Sequence, residues 1–106
     1  MSIAEERIIA RIERVKRQLN ELGPMRPGTV SRQFRKPREK QQPFYQISYT
    51  HKMKSRTDYL RKEHLQNIRK ETANFRRFRK LIEQWVDLSL QLSKLRTRQN
   101  ARRVAE

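Results

Sequence analysis

The sequence predicts an α+β fold: an N-terminal helix, a small antiparallel hairpin or three-stranded sheet, and a long C-terminal helix that packs on the first helix. Three observations lead to this prediction. Apolar residues recur at spacings of three and four near both ends of the chain, as they do along one face of a helix. In the middle of the chain, apolar and polar residues alternate, as they do in strands. Gly23 and Pro24 separate the first pattern from the second, and such a pair ends a helix.

Residues 1–22 predict the first helix. Its apolar positions are spaced four, three, four and three, which is an unbroken heptad seam; they are Ile8, Ile12, Val15, Leu19 and Leu22. Ser2 is the predicted N-cap, with Glu5 placed three residues later as in a capping box. We expect this seam to pack against another apolar helix.

Residues 29–60 predict a basic β segment. The stretches "TVSRQFRK" and "SRTDYL" alternate between polar and apolar residues, and "PFYQISYT" is rich in aromatic and β-branched residues. The intervening "HKMK" is short enough for a hairpin turn, although it has no Gly or Asn. The charged stretch "RKPREKQQP" predicts a loop between the first two strands.

Residues 62–96 predict a long helix, either as one piece or as two helices joined near residues 72–74, and residues 97–106 predict a polar tail that frays. We expect the two helical seams to pair antiparallel within the chain, between subunits, or both. Residues 1–96 would then form a single small domain. The residues expected at the helical interface are Ile8, Ile12, Val15, Leu19, Phe78, Ile82, Trp85 and Leu92.

The composition predicts a thin hydrophobic core. The chain has 106 residues, of which 34% are apolar, below the usual share for a globular domain. A chain of this size buries a smaller fraction of its surface than a larger domain does, and each predicted helix has more apolar surface than one thin domain covers. We therefore expect a homodimer.

The net charge of +16 favours an anionic partner. Residues 23–80 carry 13 of these 16 charges, whereas residues 1–22 have a net charge of +1 and residues 81–96 of zero. The flanking segments are thus predicted to be structural, and the middle of the chain is predicted to be the working surface.

The stretch "ANFRRFRKLIEQW" places Arg76, Arg77, Arg79 and Lys80 close together, although like charges three and four residues apart repel each other in a helix. On a helical projection, Arg69, Arg76 and Lys80 lie opposite the apolar half. A solvated helix face normally mixes positive and negative charges, so this cationic face indicates an external polyanion, and nucleic acid is the first hypothesis.

The function predicted is a nucleic-acid-binding protein, for DNA or RNA, that contacts the phosphate backbone with weak sequence specificity. The residues predicted to bind are Arg32, Arg35, Lys36, Arg38, Lys40, Lys52, Lys54, Arg56, Arg69, Arg76, Arg77 and Lys80. The alternative hypothesis is an accessory subunit that docks on a mobile-element enzyme or RNA-guided nuclease and clamps its nucleic acid. A peripheral membrane protein ranks last, because the cations occur on strands as well as on the helix.

Aromatic residues in the basic segment are candidates for stacking on nucleobases. Tyr45, Tyr49 and Tyr59 are better candidates than the aromatic residues of the long helix, which share a face with aliphatic residues. We expect at least one of these three tyrosines to pack against a helix instead.

No enzymatic activity is predicted. The chain has two histidines, His51 and His64, no cysteine and two glycines, so it offers no metal-ligand spacing, no cofactor motif and no glycine-rich phosphate loop. No apolar run approaches the length of a membrane span, and the charged N-terminal residues lack the apolar stretch of a signal peptide. We expect a soluble, cytoplasmic protein with no membrane association.

Three stretches in this order resemble a family of small bacterial proteins defined only as a domain of unknown function: "ELGPMRPGTVSRQFRK", "PFYQISYTHKMKSRTDYLRKE" and "NFRRFRKLIEQWVDLSLQLSKLR". Family members look like "LGPLLPGSLSRQYRRC", then an aromatic hairpin ending in "RTRYV", then "NYRRFRELLEE", and they tend to lie beside transposon genes. The resemblance covers roughly residues 19–96 and implies a nucleic-acid setting. This chain departs from the family after the first strand, where "KPREKQQP" replaces the usual cysteine cluster of metal-binding type, so no metal-stabilised lobe is expected.

Overall fold

A computed structural model describes the backbone of residues 1–105 and the side chains of residues 1–101. Its elements are helix α1 (Ile3–Asn20), strands β1 (Thr29–Lys36), β2 (Gln41–His51) and β3 (Lys54–Leu60), a 3₁₀ turn (Lys62–His64) and helix α2 (Leu65–Ala105). The α+β prediction is confirmed: the three strands form one antiparallel sheet, and α2 contacts α1.

The chain divides into two compact units. Unit 1 contains Met1–Leu22 and the chain from Phe78 onward, and unit 2 contains Gly23–Arg77. Unit 1 therefore holds the predicted helical seams, and unit 2 holds the predicted basic segment. That residues 1–96 act as a single domain stays a prediction.

Helix α1 begins where the sequence predicts. Ser2 is the N-cap, and its Oγ accepts a hydrogen bond from the Glu5 N–H at 3.2 Å. The Glu5 carboxylate is buried and lies 3.5 Å from Arg96 Nε on α2. Gln99 Nε2 donates a second hydrogen bond to Ser2 Oγ at 3.3 Å. The start of α1 is thus fixed by its own cap and by the end of α2.

The core of unit 1 is the antiparallel packing of α1 on α2 within one chain. Ile12 and Val15 of α1 are buried together with Leu81 and Leu88 of α2. Five further apolar residues pack around them: Ile8, Leu19, Leu22, Trp85 and Leu92. The first turn of α1 meets residues 96–99, and Lys16 lies over the Trp85 ring with Nζ 5.2 Å from the centroid. The helices therefore run in opposite directions.

Helix α2 is one continuous element rather than two. The prediction ended it at residue 96 and assigned residues 97–106 to a tail, whereas the helix continues through Ala105. The contacts of Arg96 and Gln99 with the start of α1 give these residues a packing surface. Glu106 lies outside the described residues.

The sheet in unit 2 has the order β1-β2-β3, and each neighbouring pair is antiparallel. Strand β1 occupies the predicted stretch, while β2 extends the predicted "PFYQISYT" at both ends and β3 begins one residue before "SRTDYL". The turn between β2 and β3 contains Lys52 and Met53, whose φ angles of 51° and 65° are both positive. Two consecutive positive φ angles characterise the type I′ hairpin turn, which forms here without Gly or Asn.

The strand register divides the sheet into two faces. We call the first the packed face, because it contains the fully buried Ile47 and the buried Leu60. The second, which we call the open face, carries mostly exposed polar side chains: Thr29, Ser31, Gln33, Arg35, Phe44, Gln46, Ser48, Thr50, Ser55, Thr57 and Tyr59. The alternation of side chains along strands produces this division.

The loop between α1 and β1 ties the packed face to the first turns of α2. The Arg26 N–H donates to the Glu71 carbonyl at 3.1 Å, and Asn74 Nδ2 donates to the Pro24 carbonyl at 2.9 Å. The Arg26 side chain reaches the sheet, with Nη2 2.7 Å from Asp58 Oδ2. Its guanidinium also lies over the Tyr49 ring, 5.3 Å from the centroid. This loop therefore helps to hold unit 2 together.

Candidate nucleic-acid interface

Positive charge is concentrated in unit 2. This unit carries 15 Lys and Arg against four Asp and Glu, a net charge of +11. Unit 1 carries 12 Lys and Arg against seven Asp and Glu, a net charge of +5. Of the twelve predicted binding residues, eleven lie in unit 2, and Lys80 lies in unit 1.

Seven of the eight predicted cations of the β segment lie at two hairpin tips. Strand β2 pairs with β1 through residues 41–48 and with β3 through residues 45–51, so each end of β2 has only one neighbouring strand. The first tip, between β1 and β2, carries Arg35, Lys36, Arg38 and Lys40, and the second, between β2 and β3, carries Lys52, Lys54 and Arg56. Because β2 rises about 3.3 Å per residue, the two tips lie about 30 Å apart.

Strand β1 adds one more predicted cation between the tips. Arg32 lies over the Phe34 ring, with its guanidinium carbon 4.9 Å from the centroid. Both residues belong to the packed-face register of β1, and the Arg32 side chain remains exposed. Strands β1 and β3 are the two edges of the sheet, and both carry cations.

A third group of cations lies on helix α2. Arg69, Arg76 and Lys80 fall within about 40° of one another around the helix axis, and they span about 16 Å along it. Arg77 lies about 100° from Arg76. All four side chains are exposed. The structure therefore retains the cationic helix face that the sequence predicts.

The twelve predicted cations share one property beyond exposure. None of them makes an ion pair with a carboxylate among the described side chains. Two of the four carboxylates of unit 2 are already engaged with other cations: Asp58 with Arg26, and Glu63 with Arg61 at 3.7 Å. The binding candidates are thus available to an external anion.

The three tyrosines fall on different faces of the sheet. Tyr45 and Tyr49 share the packed-face register with Ile47 and are half-buried, whereas Tyr59 lies on the open face and is 63% exposed. Its ring stacks on Phe44, with the centroids 6.3 Å apart and the planes inclined by 22°. Phe44 is not among the stacking candidates predicted from the sequence. Side chains alternate between the two faces along each strand, so pairing β2 with β3 in the observed register places these two rings on one face.

Unit 1 exposes an apolar stripe on α2. Val86 and Leu90 are 52% and 51% exposed, and together with Ile82, Trp85 and Ser89 they line a shallow apolar concavity of about 380 Å³. Neither Val86 nor Leu90 is among the interface residues predicted from the sequence. The recurrence of Ile82, Val86 and Leu90 at intervals of four residues was the available signal.

The two histidines lie apart from any catalytic arrangement of the described residues. His51 ends β2, and His64 Nε2 lies 3.9 Å from Glu63 Oε1 at the protein surface. Among the described residues, no three His, Asp or Glu side chains are grouped so that they could hold a metal ion. Within the same part of the chain, neither helix is long and apolar enough to cross a membrane.

Comparisons of the chain with protein-family models, with curated proteins and with solved structures gave no match. The resemblance to the transposon-associated family therefore stays an expectation.

Proposed function

We propose that this protein binds nucleic acid through the phosphate backbone, with weak sequence preference. The observation that supports the proposal most strongly is the set of twelve exposed cations that make no ion pair with a described carboxylate. Eleven of them belong to unit 2, whose net charge is +11. A solvated cationic surface of this density repels itself, and a polyanion with closely spaced phosphates relieves that repulsion.

The side chains involved explain why sequence preference should be weak. Lys and Arg bind phosphate oxygens, which are the same at every nucleotide, so such contacts orient a protein without reading sequence. The predicted binding residues are all Lys or Arg, and most of them lie at the two tips or on the exposed face of α2. The binding itself is an association with no covalent step, so the proposal assigns no enzymatic activity to the chain. We also propose that the protein is located in the cytoplasm.

Salt dependence tests the proposal. The affinity for a mixed-sequence duplex should fall steeply between about 50 and 200 mM salt, with a log–log slope near −0.9 for each phosphate contact. Replacing Arg76 and Arg77 by Gln should weaken binding and reduce the magnitude of the slope by about 2. The measurement is fluorescence anisotropy over a salt series.

The matched control removes two exposed arginines from unit 1 instead, as Arg11→Gln with Arg14→Gln. This variant has the same net charge as the Arg76 and Arg77 variant, and its affinity should stay near that of the unmodified protein. An equal loss of affinity in both variants would mean that the overall charge of the protein, and not the charge of unit 2, determines binding. A flat salt dependence would refute the proposal as a whole.

The proposed assembly is a homodimer in which the apolar stripe of one chain packs on the same stripe of a second. Ile82, Val86 and Leu90 recur every four residues, which makes the stripe suitable for helix packing. Residues 81–96 have a net charge of zero, so two such segments can meet without the repulsion that the rest of the chain would cause. A two-fold arrangement would bury the same residues in both copies.

A second candidate function is that of an accessory subunit of a mobile-element enzyme or RNA-guided nuclease. The observation that favours it is the same apolar stripe, which would then face the enzyme. Tagged protein would be isolated from its host with and without nuclease treatment. The candidate gains support only if an identified enzyme remains bound after nuclease treatment and is lost on Leu90→Glu. It fails if nothing remains bound after nuclease treatment.

A further inference from the structure

We propose that the open face of the sheet binds single-stranded nucleic acid, with a nucleobase stacked on Tyr59. The inference rests on the proposed function and specifies the form of its ligand. Phosphate contacts alone serve duplex and single strands alike. An exposed ring on a polar face distinguishes between them, because a duplex keeps the faces of its bases stacked on one another.

The aromatic pair is built into the register of the sheet. Tyr59 of β3 pairs with Gln46 of β2, and Phe44 lies two residues before Gln46 on the same face. Such diagonal neighbours are within reach of aromatic side chains. The two rings lie nearly parallel, so Phe44 supports one side of Tyr59, while the large exposed fraction of Tyr59 leaves its surface accessible. The exposed ring of Tyr59 therefore offers an aromatic surface on which a nucleobase can stack.

A cation borders this aromatic pair. The guanidinium carbon of Arg35 lies 5.9 Å from the centroid of the Phe44 ring. Arginine beside an aromatic ring can stack on a base or bind the phosphate that follows it. None of the strand residues on the open face is a carboxylate, because Asp58 points to the packed face and contacts Arg26. Arg35 is the one charged strand residue on this face, and its positive charge suits a polyanion.

The rest of the open face offers hydrogen-bonding groups without charge. Cross-strand hydroxyl pairs join Ser48 Oγ to Thr57 Oγ1 at 3.2 Å and Thr50 Oγ1 to Ser55 Oγ at 3.1 Å. Hydroxyl groups both donate and accept, so they can bind base edges of any type, as well as sugar hydroxyls. These properties favour a single strand as the occupant.

The test compares single strands with duplex on the full chain. Labelled 12-nucleotide RNA and DNA strands of mixed sequence and a 12-base-pair DNA duplex are titrated by fluorescence anisotropy. Tyr59→Ala should weaken binding of the single strands by about tenfold or more, as expected for the loss of one stacked base. Its affinity for duplex should change by less than about twofold. The matched control Tyr59→Phe keeps the ring and should bind both ligands as the unmodified protein does.

A second measurement does not depend on variants. Single strands that contain 5-bromouridine are cross-linked to the unmodified protein by ultraviolet light, and the adducts are located by mass spectrometry. Adducts on the peptides that contain Phe44 or Tyr59 are expected. Adducts found only on α1 or on residues 78–101 would overturn the inference.

The outcomes separate this inference from the proposed function. If the unmodified protein binds neither single strands nor duplex, the proposed function itself fails. If it binds both with a steep salt dependence and Tyr59→Ala weakens neither, or weakens both equally, only the stacking inference fails. Circular dichroism of each variant, with a spectrum equal to that of the unmodified protein, excludes unfolding as the cause of a loss.

Discussion

Gly28 lies where the loop after α1 enters the sheet, and its backbone has a φ of +139°. This region of conformational space is available almost only to glycine. A Cβ added at this position would also lie 2.7 Å from Ile47 Cγ1, and Ile47 is the fully buried residue at the centre of the sheet. Backbone conformation and packing therefore both require glycine here.

Gly28→Ala should destabilise the protein by about 2 kcal/mol, from backbone strain and the clash with Ile47. Chemical denaturation followed by circular dichroism measures the change in the free energy of unfolding. The other glycine supplies the control: a Cβ at Gly23 would meet Asn74 Nδ2 at 3.5 Å, an ordinary contact distance. Gly23→Ala should therefore change stability by less than about 1 kcal/mol. Equal effects at both positions would contradict this account of Gly28.

Individual residues also mark where sequence reasoning reaches its limit. Ser2 could be predicted as the N-cap, because the capping hydrogen bond depends only on residues within the first turn. Lys52 and Met53 could not be predicted in the left-handed region, since neither residue favours it; the pairing of β2 with β3 determines their conformation. Met53 is 99% exposed, so no packing of its side chain explains the turn.

At the scale of elements, the strands follow the predicted alternation closely, because a strand with one buried face must alternate. The end of α2 does not follow the prediction. Residues 97–100 are polar, and their helical state is linked to contacts such as that of Gln99 with Ser2, 97 positions earlier. A pattern confined to a local window cannot include that contact. The same limit applies to the distance between the two tips, which depends on the strand register.

The separation of the tips predicts a dependence on ligand length. A distance of about 30 Å corresponds to about nine or ten base pairs of duplex, at about 3.4 Å each. A 16-base-pair duplex can contact both tips, whereas a six-base-pair duplex can contact only one. The salt slope of the unmodified protein should therefore be steeper for the longer duplex. Anisotropy titrations with both lengths measure it.

A variant that lacks the second tip provides the control, with Lys52, Lys54 and Arg56 all replaced by Gln. Its slope with the long duplex should be reduced, while its slope with the short duplex should change less, because the first tip remains. If the salt slope of the variant is reduced equally for both duplex lengths, the two tips do not act as separate contact points.

At the scale of the whole molecule, most of the positive charge and the exposed apolar stripe lie in different units. Unit 2 holds most of the positive charge, and unit 1 holds the helical core and the apolar stripe. The sequence indicated this division, since 13 of the 16 net charges lie within residues 23–80. It could not indicate that the seam residues Ile12 and Val15 are buried inside one chain, because a heptad seam looks the same for packing within a chain and between chains.

The proposed homodimer predicts that Leu90→Glu weakens self-association. Leu90 is half exposed in the single chain, so the substitution should cost the fold less than about 0.5 kcal/mol, while it places a charge in the proposed contact. Sedimentation velocity over a concentration series should show at least a tenfold weaker dimer. The control Gln91→Glu adds the same charge at an exposed neighbouring position, which lines a different concavity together with Arg11 and Arg14. A monomeric unmodified protein at about 100 μM would remove the dimer from the proposal.

The cations on the edge strands of the sheet would affect how densely copies of this protein bind along one polyanion. An edge strand presents unpaired N–H and C=O groups that can pair with another chain, and charged side chains on β1 and β3 oppose such pairing through mutual repulsion. A polyanion that neutralises these side chains removes the repulsion. The residues proposed to bind the ligand would therefore also set how closely neighbouring copies could approach one another on it.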